Sequence, residues 1–289
     1  MECVIAVHSG AGYQKVSKEA CYKKICMKAC KKGLEILKNN GSVLEAVTVA
    51  TMVLEDSPLT NAGYGSNLTW NGSVECDASI MNGSSMHYGG VGAVSERAKK
   101  DFVRNKYNVI NQNSSNSHQI GKSRLDTIGC VGMDKFGNVA ASSSSGGILL
   151  KQDGRVGQAA LLGSGCWAQM SDDVAIAVTT SGCGEHLIKT NLAREISRQV
   201  FNSSCPTIAI NKSFNEDFIQ SPLLRDYEEK LAGALILYKN KDYCEIISAH
   251  NTKSMCIAYA TEYNKKSYLS RLLPNTSSGT SIMVQGYPI

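Results

Sequence analysis

Asp126-Thr127 runs directly into Ile-Gly-Cys-Val-Gly-Met-Asp and then into Ser142-Ser-Ser-Ser-Gly-Gly147. The stretch reads as an acidic residue joined to a threonine that opens a strand, a turn, and a second strand ending in hydroxyls and glycines. If the bond before it is cut, a threonine so placed becomes a new N-terminus, with a hydroxyl nucleophile and its own α-amine as base. The Thr127 hydroxyl can attack the preceding carbonyl itself, giving by N→O acyl shift an ester that water hydrolyses. Such chemistry also needs a second hydroxyl, oxyanion donors and a group that holds substrate. Ser145 ends the returning strand, beside Gly146-Gly147, where it can face Thr127 across a hairpin. Gly182 and Gly184, ahead of a helix, offer backbone N–H groups to a developing oxyanion. Arg155, in Gly154-Arg-Val-Gly157, is a cation in a tight loop suited to bidentate grip on a carboxylate. Each feature alone is commonplace, since threonine is a good strand former. Their ordered co-occurrence points to an N-terminal nucleophile.

The elements that must position these groups follow from the pattern. Val4–Val7 is a short buried-type strand entering His8-Ser-Gly-Ala-Gly12, read as a tight glycine turn. A helix is expected from about Ser17 to Lys38, stopping at Asn39-Asn40-Gly41. Its apolar stripe is Tyr22, Ile25, Ala29, Gly33 and Ile36, and its lysines form a solvated face. A second helix starts at a capping box, Ser42-Val-Leu-Glu45, and ends near Glu55 before Asp56-Ser-Pro58. Thr60-Asn-Ala-Gly-Tyr-Gly-Ser66 is a glycine-rich loop, with strands expected at Leu68–Trp70, Val74–Met81 and Gly90–Val94. From Glu96 to Arg124 the chain is polar, rich in Asn, Ser and Lys, and reads as an exposed linker. Strands at Ile128–Asp134 and Val139–Ser143 are joined by the hairpin signal Lys135-Phe-Gly-Asn138. Val174–Thr180 is a further strand, followed by one helix from Ser181-Gly-Cys-Gly-Glu185 to about Val200, with Leu187, Ile188, Leu192 and Ile196 on its inner face. Three more strands are expected at Ala232–Tyr238, Glu245–His250 and Cys256–Tyr259. Hairpin-paired strands with helices between them imply helices layered outside antiparallel sheets, an α+β architecture.

With 289 residues, 43% of them apolar, the chain can bury a substantial core. No apolar run is long enough to cross a bilayer, and the N-terminus lacks the basic and apolar regions of a secretory signal, so an unexported protein without membrane contact is expected. The eleven cysteines lie singly in apolar segments without CxxC pairs, which favours reduced core thiols over disulfides or zinc ligands. A net charge of +5 is modest and does not suggest a protein that binds nucleic acid directly.

Asp126-Thr-Ile-Gly, Ser144-Ser-Gly-Gly147, Gly154-Arg-Val-Gly-Gln-Ala-Ala160 and Thr180-Ser-Gly-Cys-Gly-Glu-His186 together resemble the β-subunit half of the threonine aspartases (taspases). These belong to the N-terminal-nucleophile superfamily, beside the plant-type asparaginases and aspartylglucosaminidases. The front half is similar too: His8-Ser-Gly-Ala-Gly12, Leu54-Glu-Asp-Ser-Pro58, Thr60-Asn-Ala-Gly-Tyr-Gly-Ser-Asn67 and Glu75-Cys-Asp-Ala-Ser-Ile-Met81. So are Ser254-Met-Cys and Leu269-Ser-Arg-Leu near the C-terminus. The resemblance implies a four-layer αββα sandwich, a single domain matured into an α-subunit, 1–126, with a flexible linker at about 96–126, and a β-subunit, 127–289. It implies pairing of two αβ units, protein substrates among transcription regulators, a location in nucleus and cytoplasm, and no metal or organic cofactor. Asp126-Thr127 is then the maturation bond, Thr127 the nucleophile and Ser145 its assistant. Asn61 and the Ser181-Gly182 turn line the oxyanion region, and Arg155 binds the substrate carboxylate.

One position separates two branches of that superfamily. Relatives that hydrolyse free asparagine resemble an Arg-Val-Gly-Asp pattern, whose Asp grips the α-ammonium of an amino acid. Here the place is Gln158. Without the carboxylate a free amino acid loses a charge-assisted bond, on the order of 1.5–3 kcal/mol. A peptide held by Arg155 through its aspartate side chain suits the site better, so the expectation is an endopeptidase cutting after Asp. The maturation junction obeys the same rule. The alternatives are an asparaginase or isoaspartyl peptidase, and an inactive relative. The last arises because the resemblance jumps between Val94 and about Asp101, where typical members carry additional helices and loop.

Overall fold

A computed structural model describes residues 2–96 and 126–289. The expected linker, about 96–126, therefore lies almost entirely outside the described residues. The first strand, β1 (Val4–Gly12), is buried along its whole length. Ile5 and Val7 belong to a core shared with the first two helices, whereas Val4 and Ala6 face a second sheet. Cover on both faces is why its sequence shows an apolar run and no alternation. The expected glycine turn is instead a continuation of this strand, with a bulge between His8 and Ala11 and Gly10 at φ 107°. A bulge re-aims a strand without ending it.

Helices α1 (Glu19–Lys38) and α2 (Val43–Glu55) cover the outer face of the first sheet. The break between them falls at Asn40, φ 62°, and Ser42 Oγ accepts the Glu45 N–H at 3.2 Å, as the capping-box reading requires. The buried stripe of α1 is Tyr22, Cys26, Ala29, Cys30, Gly33, Leu34 and Leu37, with Ile25 and Ile36 half-buried at its margin. All eleven cysteines are free.

Seven antiparallel strands form that sheet: β1, β2 (Val74–Asn82), β3 (Tyr88–Glu96), β4 (Ile128–Met133), β5 (Val139–Ser145), β10 (Ser254–Thr261) and β11 (Lys265–Arg271), in the order β11-β10-β1-β4-β5-β2-β3. The second sheet holds β6 (Cys166–Met170), β7 (Ala175–Gly182), β8 (Ala232–Lys239), β9 (Cys244–His250) and β12 (Met283–Pro288), in the order β12-β9-β8-β7-β6. Its outer face carries α3 (Gly184–Thr190), α4 (Leu192–Phe201) and α5 (Pro206–Lys212), followed by a π-helical turn at Ser213–Ile219. The result is a four-layer αββα sandwich, with the larger core between the sheets and under α4 and α5.

Several expected elements differ. The single helix after Ser181 is two helices, because Asn191 adopts the left-handed conformation at φ 52° and interrupts the ladder. Leu68–Trp70 forms no strand; Leu68 and Thr69 make isolated bridges to Val74 and Lys151. Strands β6, β11 and β12 and helix α5 were not anticipated.

Candidate active site

The β4–β5 hairpin sets the geometry. Its pairing runs from Met133↔Val139 to Ile128↔Ser144, closed by a turn in which Asp134 Oδ1 accepts the N–H groups of Phe136 and Asn138 at 2.9 Å. Side chains alternate along each strand. Ser142 and Ser144 face α2, bonding Thr51 Oγ1 at 2.7 Å and Glu55 Oε1 at 2.5 Å. Ser143 and Ser145 take the opposite face, toward the second sheet. Thr127, one residue ahead of Ile128, falls opposite Ser145, and its Oγ1 donates to Ser145 Oγ at 3.0 Å. The pairing expected from the hairpin alone is thus present, with both hydroxyls buried.

Further contacts define the surroundings of Thr127. Gln158 Nε2 donates to Thr127 Oγ1 at 2.7 Å, and the Gly147 N–H donates to Ser145 Oγ at 3.1 Å. Asn61 fixes the Gly146-Gly147 turn: its Nδ2 donates to Gly147 O at 2.8 Å, and its carbonyl accepts the Gly146 N–H at 2.7 Å. Its Oδ1 accepts the Asn67 N–H at 2.8 Å, so the amide is engaged at both ends. Behind Thr127 lies the β1 bulge. A Cβ on Gly10 would come within 2.5 Å of Asp126 Cα, so only glycine permits this approach to the junction.

The loop bearing Arg155 and Gln158 is held from below by β2. Glu75 Oε2 accepts the Gly154 N–H at 2.9 Å, and Asp77 accepts the Gly157 and Ala93 N–H groups at 2.8 Å each. Lys151, almost fully buried, donates from Nζ to Glu75 O at 2.9 Å. Arg155 itself is exposed on the cavity wall, and none of the ion pairs among the described residues involves it. Glu75, Asp77 and Lys151 escaped the functional reading of the sequence. The available signal was Glu75-x-Asp77, two acids on one face of an otherwise apolar strand.

Burial disfavours charge on the histidines and the cysteine around the junction. His8 lies beneath Thr127, its Nε2 3.3 Å from Thr179 Oγ1, and burial pushes its pKa down to about 3 against an opposing hydrogen bond with the Thr127 backbone. Burial likewise raises the Cys183 thiol and lowers His186. At the rim Tyr227 donates to Glu185 Oε1 at 2.6 Å, which holds that carboxyl below its usual range.

Asp126, Thr127, Ser145, Asn61, Arg155, Gln158, Gly182 and Gly184 all line one cavity of about 490 Å³. Ser181 is not on its wall; its Oγ accepts the Ala11 N–H at 2.9 Å and ties β7 to β1. The Cys183 N–H, between the two glycines, is taken by Leu231 O at 2.9 Å. Among the described residues, no three His, Cys, Asp or Glu side chains converge as a metal site. The arrangement suits acyl transfer: a buried hydroxyl one residue past the Asp126 carbonyl, a second hydroxyl in hydrogen-bond contact with it, and a cation on the cavity wall.

Comparison with known proteins agrees with this chemistry. A family model described as Asparaginase matches residues 1–99 and 93–270. The chain is 33% identical over 261 residues to the isoaspartyl peptidase/L-asparaginase of Xenopus laevis, covering 74% of this chain and 81% of that one. It is 33% identical over 241 residues to the human protein of the same name, covering 67% and 75%. To the isoaspartyl peptidase of Salmonella typhimurium it is 30% identical over 247 residues, covering 68% and 78%.

Proposed function

This chain belongs to the asparaginase family of N-terminal-nucleophile hydrolases, and from that premise we propose that it is a self-activating threonine endopeptidase cutting polypeptides after aspartate, of the threonine aspartase type. Thr127 attacks the Asp126 carbonyl, and water hydrolyses the ester, giving fragments 1–126 and 127–289. The freed α-amine of Thr127 then serves as base while its hydroxyl attacks substrate in trans. Ser145 relays the hydroxyl proton, Gly182 and Gly184 bound the oxyanion region, and Arg155 holds the β-carboxylate of the substrate aspartate.

The observation that carries the choice of substrate is the neutral amide of Gln158 beside Thr127 Oγ1. A free amino acid would bring its α-ammonium to this wall and find a neutral amide where a carboxylate would give it a charge-assisted bond. A peptide has no ammonium to satisfy. Arg155, exposed on the cavity wall, suits a carboxylate of the substrate. A second reading, isoaspartyl peptidase and asparaginase, is favoured by the names of the relatives.

The matured protein incubated separately with asparagine, a β-aspartyl dipeptide and an Asp-containing peptide separates the two. Cleavage of the peptide after Asp is expected; release of ammonia or of β-linked aspartate with the peptide left intact sinks the endopeptidase reading. Thr127→Ala is expected to yield one uncut chain of full mass, inactive in trans. Two fragments from that variant would assign the cut to an outside protease.

A further inference from the structure

Gln158 touches the reacting oxygen of Thr127, a closer role than selecting substrate. We propose that Gln158 is a catalytic residue of the self-cleavage step, the donor that fixes the direction in which the Thr127 proton leaves. The proposal rests on the reading of Thr127 as a self-cleaving nucleophile.

A side-chain amide nitrogen donates and does not accept. At 2.7 Å, Gln158 Nε2 therefore occupies a lone pair of Thr127 Oγ1. The single proton of that hydroxyl must point elsewhere, and Ser145 Oγ receives it at 3.0 Å. Ser145 also accepts the Gly147 N–H at 3.1 Å, which fills its second acceptor site and turns its own proton onward. Hydroxyls that would sample several directions in water are thus aligned in one sense, from Gln158 through Thr127 to Ser145. As Oγ1 bonds to the Asp126 carbonyl carbon, its proton departs along that line. The C–N bond to Thr127 then breaks and a proton ends on the freed nitrogen. Water adds to the ester, restoring the hydroxyl and leaving Asp126 with a carboxyl group. The Gln158 N–H stabilises the charge that gathers on Oγ1 as its proton leaves.

The donor is fixed before reaction. Gln158 is buried at the start of a short 3₁₀ turn, with its carbonyl accepting the Leu161 N–H at 3.0 Å. Asp77 anchors the preceding Gly157 N–H, and the Gln158 Oε1 packs so closely on Gly184 that a Cβ there would overlap it. A glutamate here, with the same reach, would accept instead of donate and draw the Thr127 proton away from Ser145.

The test follows fragment formation by the full chain after cell-free synthesis, with wild type, Gln158→Ala and Gln158→Glu compared between pH 5 and 8. At pH 8 both variants are expected to cleave about 100-fold more slowly, the usual effect of a misdirected reacting group. The Gln158→Glu rate relative to wild type should then rise as pH falls and the carboxyl becomes protonated and donates, while the Gln158→Ala ratio stays flat. Asp77, Asp126, Glu185, Glu229, Lys151, Arg155, Lys253, Tyr13, Cys183 and His186 line the same cavity but are common to all three proteins, so their titration is carried equally by the Gln158→Ala ratio, which serves as the reference. Recovery in one and the same preparation rules out misfolding as the cause of the slow rate. Wild-type rates in Gln158→Ala, or a Gln158→Glu rate at or above wild type at pH 8, would overturn the proposal. So would a slow Gln158→Glu ratio that does not respond to pH, which would leave Gln158 a packing role. If wild type itself makes no fragment beginning at Thr127, it is the nucleophile reading that fails.

Discussion

Glu75 and Asp77 act on the site through backbone amides, holding both ends of the Gly154–Gly157 turn that carries Arg155 and leads into Gln158. Replacing Asp77 by Asn leaves one half-buried N–H, of Gly157 or Ala93, without its acceptor, at about 1 kcal/mol. Its expected signature is a raised KM for an Asp-containing peptide together with slower self-cleavage, because Arg155 and the Gln158 donor are held by the same anchor. Arg155→Ala removes a charge-assisted contact worth about 1.5–3 kcal/mol, so kcat/KM for that peptide should drop about ten- to a hundredfold. Self-cleavage, whose substrate is tethered, should slow less; equal losses in both reactions would count against the carboxylate-holding role. At this scale the sequence was readable where spacing along one hairpin decides the contact, as for Thr127 with Ser145. Glu75, Asp77 and Lys151 were not readable in the same way. Their partners are main-chain groups some 80 residues away, and no side-chain pattern announces a backbone amide.

Among elements, the long amphipathic helices and the buried strands were legible because burial imposes a period on them. Ser42 and the Asn39-Asn40-Gly41 stop marked helix ends correctly, since caps are local chemistry. The errors fell where tertiary contact overrode local signals. His8-Ser-Gly-Ala-Gly12 has turn composition, yet pairing with β10 on one side and β4 on the other keeps its first half extended. Gly10 serves a close approach to Asp126. Gly10→Ala would place a Cβ against Asp126 at a positive φ, and self-cleavage should fall markedly. Fragment yield measured against circular dichroism of the same sample checks this; undiminished cleavage would show that the junction is not held there. Asn191 breaks a helix whose apolar spacing runs straight through it, a fault that periodicity cannot register. The edge strands β11 and β12 were missed because their residues are largely half-buried or exposed, so little alternation is enforced.

For the molecule as a whole, two histidines bind its stability to pH. Burial lowers His8 to about 3 and His250 to about 4, in the latter case against a hydrogen bond from its Nδ1 region to Thr252. Both folded values lie below the ordinary value of about 6.5. Their contribution is therefore complete above about pH 6.5 and declines as pH falls toward 4, because the unfolded chain takes up protons the folded one refuses. The slope is about 1.4 kcal/mol per pH unit for each residue. Urea unfolding of the uncut Thr127→Ala chain should show a lower midpoint at pH 5 than at pH 7, and His250→Gln should flatten the difference; equal midpoints for the unsubstituted histidines would contradict it. The order of the larger sheet carries a consequence for the cut protein. A break at 126–127 assigns β1, β2 and β3 to one fragment and β4, β5, β10 and β11 to the other, and the strand order interleaves them, with β1 seated between β10 and β4. The two pieces are woven into a single ladder and cannot part by sliding at an interface. Diluting the mature enzyme would leave it whole, whereas melting it would scatter two chains that must find each other again. Such a cut would exchange one covalent chain for two that, once unravelled, depend on their own concentration to return.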